Sequence, residues 1–208
     1  MAIVVDKKMK RRDIALSCKD LVVSCALKDI SIAKLAKEAG IAKGSFYDYF
    51  ENKEDLIFEI VSILMQEYNK QLEIKLESAN SSKAKLKIFA SFFYNDDYIE
   101  LRGLYKEFVA ISLVNPSKQM IEFQTKCYIL YRDWLAAIIQ EAVDNKEMNK
   151  SSLNMVDGLF ATVKGLYISY EITDAIANLQ EAIDSYIDTL FNPNYALDFC
   201  QSSANALQ

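Results

Sequence analysis

Histidine is absent from the 208 residues, and there are only two prolines and five glycines. Without an imidazole, a Ser-His-Asp triad and a Glu-x-x-His metal motif are both impossible, and no glycine-rich phosphate loop stands in for them. A helical enzyme is therefore the least supported class. Cys18, Cys25, Cys127 and Cys200 form no Cys-x-x-Cys pair, which argues against a zinc-finger type of metal centre. Cys18 and Cys25 lie seven apart on the stripe Ile14, Cys18, Leu21, Val22, Cys25. They read as reduced thiols packed in a core, with redox sensing as the alternative. No metal and no cofactor are expected. No Asn-Gly or Asp-Gly hairpin signal and no alternating apolar run argues for a sheet. Apolar stretches are broken by charge well before the roughly 18 residues of a membrane span. Ile3 to Val5 is too short for the core of a signal peptide and precedes the basic residues, so a cytoplasmic protein is expected. What remains is an all-α chain, 51% apolar, with enough length for one large or two small domains.

The net charge of −5 is unevenly placed. Residues 1 to 53 hold 11 Lys or Arg against 7 Asp or Glu, a net of +4, whereas residues 54 to 208 hold 13 against 22, a net of −9. A positive head on a negative body fits a protein that offers one end to phosphates. The densest basic cluster is Lys7, Lys8, Lys10, Arg11 and Arg12. It reads either as a solvated terminus or as a contact to the backbone or minor groove of DNA.

Residues 31 to 53, SIAKLAKEAGIAKGSFYDYFENK, have the layout of a helix-turn-helix. Ser31 is placed to cap a first helix carrying Ile32, Leu35, Ala36 and Ala39 at helical spacing, and Gly40 supplies the left-handed residue that ends it. A second helix follows almost at once. Ile41 and Phe46 can form a hydrophobic staple, Phe46 and Phe50 give an inward face, and Lys43, Gly44, Ser45 and Tyr47 stay outward. Lysine at the start of a groove-bound helix can donate to guanine or phosphate. Gly44 lets the backbone approach closely, and Ser45 is short enough to hydrogen-bond without holding the helix away.

These residues resemble the DNA-binding signature of the TetR family of bacterial transcriptional regulators. The matching string is Ser31-Ile32, Leu35-Ala36, Ala39 to Tyr47, Phe50, Lys53 and Glu54-Asp55-Leu56, about a quarter of the chain. The chain departs from that signature at Ala42, where the family usually has a serine cap, and at Ala26, where a glycine usually closes the first helix. The resemblance implies an N-terminal three-helix helix-turn-helix domain followed by a larger helical ligand-binding and dimerisation domain. It implies phosphate contacts from Ser31 and Lys53, contacts by hydroxyl or ring edge from Tyr47 and Tyr49, and groove contacts from Lys43 and Ser45. Asp48, where a basic or polar residue is more usual, either faces away from DNA or reads a cytosine amine. The implied function is a repressor that binds a palindromic double-stranded operator as a homodimer and is released by a small, apolar or aromatic effector.

Periodicity and punctuation place a first helix over about 8–26 and a fourth from Asn52 toward Leu76. Further helices fall at about 83–94, 97–114, 117–144, 153–173 and 178–191, with Pro116 as a stop and a fraying tail after Pro193. The domain boundary is placed between residues 53 and 54. One recognition unit offers few base contacts, so a dimer is expected. Gly158 and Gly165, seven apart, with Ile183, Tyr186 and Ile187, are the candidate interface, pairing two helices per subunit into a four-helix bundle. The middle of the chain is crowded with aromatic residues, of which Tyr105, Phe108, Tyr128, Tyr131 and Trp134 are the candidate effector pocket. Arg102 or Arg132 is placed to face a ligand carboxylate. The alternative to an effector is a large domain that docks a protein partner.

Overall fold

The computed structural model describes residues 6–192. The readings that concern Ile3 to Val5, Cys200 and the segment after Pro193 lie outside the described residues. Ten α-helices joined by short 3-10 turns, with no strand, make up the described residues. They are α1 (Lys7–Ser17), α2 (Lys19–Ser24), α3 (Ile32–Glu38), α4 (Lys43–Phe46) and α5 (Lys53–Glu77), then α6 (Ser82–Ala90), α7 (Ile99–Val114), α8 (Lys118–Asp144), α9 (Val156–Ile172) and α10 (Leu179–Leu190). The chain divides into two compact units. Among the described residues, one comprises those up to Lys70 with Tyr98–Lys126, and the other Gln71–Asp97 with those from Cys127 onward.

In the first unit, the single N-terminal helix expected over about 8–26 is broken in two. The Ser17 hydroxyl donates to the Ile14 carbonyl at 2.8 Å, and the Cys18 amide reaches Ala15 instead of Ile14, tightening the turn between α1 and α2. Such back-bonding competes with the helical ladder and bends it. The apolar stripe nonetheless continues across the break. Ile14, Cys18 and Val22 are buried, and Leu21 and Cys25 pack partly against the same cluster. That cluster also takes Leu27, Ile30, Leu35, Phe46 and Phe50, then Leu56, Ile57 and Ile60 from α5 and Leu104 and Phe108 from α7. Phe58, Phe108 and Phe123 form one aromatic knot, Phe58 stacking on Phe123 at 5.1 Å and contacting Phe108 at 5.7 Å. Cys18, Cys25 and Cys127 are in no disulfide; burial pushes the Cys18 thiol up and the Cys127 thiol up to about 11.

The second unit is built on α6, α9 and α10 with the C-terminal part of α8. Ser81 caps α6, its hydroxyl accepting from the Ala84 amide at 3.2 Å, and Asn178 caps α10, accepting from Glu181 at 3.1 Å. The helix expected over 83–94 ends as an α-helix at Ala90 and tightens into a 3-10 turn at Ser91–Phe93. Leu86, Phe89, Leu135, Leu159, Phe160, Val163, Ile183 and Ile187 are buried. Lys85 pairs with Glu141 at 2.6 Å, and Lys83 and Lys87 both reach Asp188, at 3.1 and 2.9 Å.

Candidate nucleic-acid interface

The end of α3 sets the angle of the whole reader. Gly40 has φ of +64°, the Ile41 amide donates to the Ala36 carbonyl at 3.0 Å, and the Gly40 amide donates to Lys37 at 3.1 Å. This pair of reversed bonds is a Schellman closure, which satisfies the last carbonyls of a helix and turns the chain sharply. At the other end of α3 the Ser31 hydroxyl accepts from the Lys34 amide at 3.3 Å. Its side chain is thus a helix cap as well as an exposed group. The Lys34 ammonium donates to the Asp29 carbonyl at 3.0 Å, tying α3 to the turn before it.

One turn of α-helix suffices for α4, and looser turns carry the chain on through Tyr49 to Phe50, whose amide bonds back to Phe46 at 3.0 Å. Phe46 and Phe50 are fully buried and contact each other at 5.4 Å, so the inward face is anchored. Lys43 and Gly44 are exposed and Ser45 is half-buried. Tyr47, 56% exposed, stands edge-on to Phe46 at 5.7 Å. Ala42 gives no side-chain cap to α4, as its departure from the family signature requires. Tyr49 is half-buried against the core. Lys7, Tyr47, Asp48 and Tyr49 line one open surface groove, which brings the start of α1 to the same face as the end of the α4 turn.

Two cations of the basic head lie elsewhere than a surface-charge reading suggests. The Lys53 ammonium donates to the Leu27 carbonyl at 3.1 Å and to Ile30 at 3.0 Å, leaving one donor proton for any other partner. Arg11, counted in the basic cluster, turns inward: its guanidinium bonds Asp55 at 2.7 Å, Glu59 at 2.9 Å and the Tyr49 carbonyl at 2.5 Å. The hydrogen bonds that Arg11 donates to Asp55 raise the Arg11 pKa above its ordinary value. Asp55 is held below the usual carboxylate range, the Arg11 and Glu51 hydrogen bonds outweighing a burial penalty that acts the other way. Neither inward role has a sequence signal, since a lysine or arginine in a basic head reads the same whether it faces water or backbone.

The candidate effector residues divide between the units. Arg102, Tyr105 and Phe108 belong to the first and Tyr128, Tyr131 and Trp134 to the second. Phe108, 4% exposed, fills the aromatic knot, and burial pushes Tyr105 up to about 12. Arg102 is buried. Tyr131 lies edge-on to Trp134 at 6.4 Å and to Phe89 at 6.3 Å, within the second unit. Tyr128 is exposed and donates to Asp157 at 3.0 Å, and Arg132 reaches the same carboxylate at 2.7 Å. Arg132 therefore already has a carboxylate partner inside the chain.

The candidate dimer residues also divide. Gly158 and Gly165 are exposed on α9, with open space where a Cβ would stand, and Tyr186 is half-buried. Ile183 and Ile187 are buried within the chain, at 0% and 1% exposure. They lie where α10 packs on α6 and α9.

Residues 27–60, which span α3, α4 and the start of α5, match the model for bacterial regulatory proteins of the tetR family. The chain is 27% identical over 85 residues to the fatty acid metabolism regulator protein of Bacillus subtilis, covering 44% of that relative's length. It is 23% identical over 194 residues to the HTH-type transcriptional regulator BetI of Yersinia pestis, covering 95% of that chain. Among solved structures, a TetR-family transcriptional regulator from Cytophaga hutchinsonii superposes with a TM-score of 0.71 at 19% identity, over 88% of this chain and 96% of that one. A transcriptional regulator from Saccharomonospora viridis in complex with choline gives 0.70 at 14% identity, over 90% and 97%. With a capped α3, a Schellman turn and an outward α4 edge, the matched segment is a helix-turn-helix of the tetR family of bacterial regulatory proteins, and the chain shares the fold of solved TetR-family regulators.

Proposed function

We propose that this regulator is a repressor that binds a palindromic operator as a homodimer and lets go when a small, apolar or aromatic effector enters its larger helical part. The reader is residues 1–53 and the responding part is residues 54–208. The carrying observation is the two-faced α4 turn: Phe46 and Phe50 are locked in the core, while Lys43, Gly44, Ser45 and Tyr47 occupy the opposite edge. Lys43 and Ser45 reach into the major groove, Gly44 allows close approach, and Ser31, Tyr47 and Tyr49 contact the phosphates. Lys53 adds its one remaining donor. The protein works where the chromosome is, in the cytoplasm. Among the described residues no helix is long and apolar enough to cross a membrane.

For the dimer, the exposed small side of α9, Gly158, Ala161 and Gly165, is the proposed contact, with the half-buried Tyr186 of α10 as a further candidate. Small residues let two helices approach closely. For the effector, the ring cluster of Phe89, Tyr131 and Trp134 is the proposed contact surface in the second unit.

The test is selection of a duplex from a random pool by the purified protein, followed by titration at several salt concentrations. Lys43→Ala is expected to weaken the selected duplex by about ten-fold, the scale of one good base contact. The wild-type affinity falls steeply with salt, as phosphate neutralisation requires. Binding that ignores ionic strength, or a monomer by native mass measurement, overturns the reading. Native mass spectrometry of the purified protein searches for a retained effector. Leu at Tyr131 or Trp134 with unchanged release from DNA counts against the ring cluster.

A further inference from the structure

The guanidinium of Arg11 ties α1 to two segments of the first unit that lie far along the chain from it, the turn after α4 and the start of α5. From α1 it reaches the start of α5 through Asp55 (Nη2 to Oδ1, 2.7 Å; Nη1 to Oδ2, 3.1 Å) and Glu59 (Nε to Oε2, 2.9 Å). It reaches the turn after α4 through the Tyr49 carbonyl at 2.5 Å, and it lies 4.4 Å from the centre of the Phe50 ring. Asp55 is fixed in turn. Its Oδ2 accepts from the Glu51 amide at 3.1 Å, and its own amide donates to Asn52 Oδ1 at 2.8 Å, a reciprocal cap on α5. The fork of arginine matches a carboxylate in two bonds and still has donors for a carbonyl, a geometry that a lysine point charge does not reproduce.

We propose that Arg11 is a positioning residue of the DNA reader, a latch that sets the angle of the α4 edge against α5 and that makes no contact with the nucleic acid itself. This rests on the DNA-binding reading above and adds to it a division of labour within the basic cluster. Arg12, exposed beside it, and Lys7, in the groove with Tyr47, serve the phosphates. Arg11 serves the aim of the helix. Any movement of α5 against the α4 turn has to stretch or break this one set of bonds.

The experiment uses the full chain and a duplex that the wild-type protein selects from a random pool. Affinities for that duplex and for a random duplex are measured across a salt series for Arg11→Gln, Arg11→Lys and Asp55→Asn, with folding checked by circular dichroism. A latch predicts a loss of about ten-fold on the selected duplex in all three, comparable to one misplaced base contact. It also predicts unchanged affinity for random duplex and an unchanged salt slope. Asp55→Asn is the sharpest arm, because removing a negative charge near DNA strengthens binding on electrostatic grounds alone, whereas the latch predicts weakening. Arg11→Lys keeps the charge and guards against an unfolded Gln variant. If it binds like the wild type, or if Arg11→Gln flattens the salt slope by about one unit and weakens both duplexes alike, Arg11 is a phosphate contact and the proposal falls. Selected-duplex affinity unchanged in all three variants also overturns it. A wild-type protein that selects no duplex overturns the DNA-binding reading itself, and the latch with it.

Discussion

Gly40 is the position where the fold depends most directly on the absence of a side chain. Its φ of +64° lies in the left-handed region, and an added Cβ meets nothing within 4 Å. The cost of Gly40→Ala is therefore backbone strain alone, about 1–2 kcal/mol for an L-residue held left-handed. Alanine also narrows the unfolded ensemble, which offsets about 0.4–1 kcal/mol. The net expectation is a loss of about 1 kcal/mol. Gly103, inside α7, has the same open surroundings and no positive φ, so Gly103→Ala should stabilise by about 0.5–1 kcal/mol. With a urea slope of about 2 kcal/mol/M, the two midpoints move in opposite directions, down by about 0.5 M and up by about 0.3–0.5 M. Urea melts at one fixed protein concentration, followed by circular dichroism, read both shifts. A Gly40→Ala midpoint at or above the wild type would show that the Schellman turn does not set the end of α3. The account of how the reader is aimed would then be wrong.

Lys53→Met leaves the Leu27 and Ile30 carbonyls without their charged donor and is expected to cost about 1–2 kcal/mol. A thermal melt should show a fall of about 4 °C. An unchanged melt with a flatter salt slope would make Lys53 a phosphate contact only. Ala42→Ser supplies the missing cap on α4 and should add about 1 kcal/mol, seen as a higher urea midpoint. No gain would mean that the α4 amides are already satisfied. Tyr105, pushed up to about 12 by burial, favours the folded state only while protonated. Its folded value lies above its unfolded one of about 10, so its contribution is full below pH 10 and is lost as pH rises toward 12. Tyr105→Phe should therefore lessen the alkaline loss of stability in that window, and an unchanged alkaline limb would contradict the burial.

Local signals were legible wherever one residue type does one job. Ser31 and Asn52 cap as their positions suggest, Gly40 terminates α3, and Phe46 with Phe50 faces inward. The break at Cys18 was hidden because the apolar stripe keeps its period across it, and a tightened turn leaves that period intact. Ile183 and Ile187 stand on an apolar stripe, and periodicity alone does not say whether a chain's own core or a partner covers it. Arg11 and Lys53 were counted as surface charge because nothing in one dimension records that backbone carbonyls from residues 27, 30 and 49 wait for them.

The inward pair has a consequence for how such a protein changes over generations. The side chains that hold the frame, Arg11, Lys53, Asp55, Phe46 and Phe50, are distinct from those on the outer edge, Lys43, Ser45 and Tyr47. If the edge reads DNA as proposed, exchange there would alter which sequence is recognised without loosening the mount beneath it. On that proposal, new operator preferences would lie a few substitutions away, on a scaffold that does not have to be rebuilt.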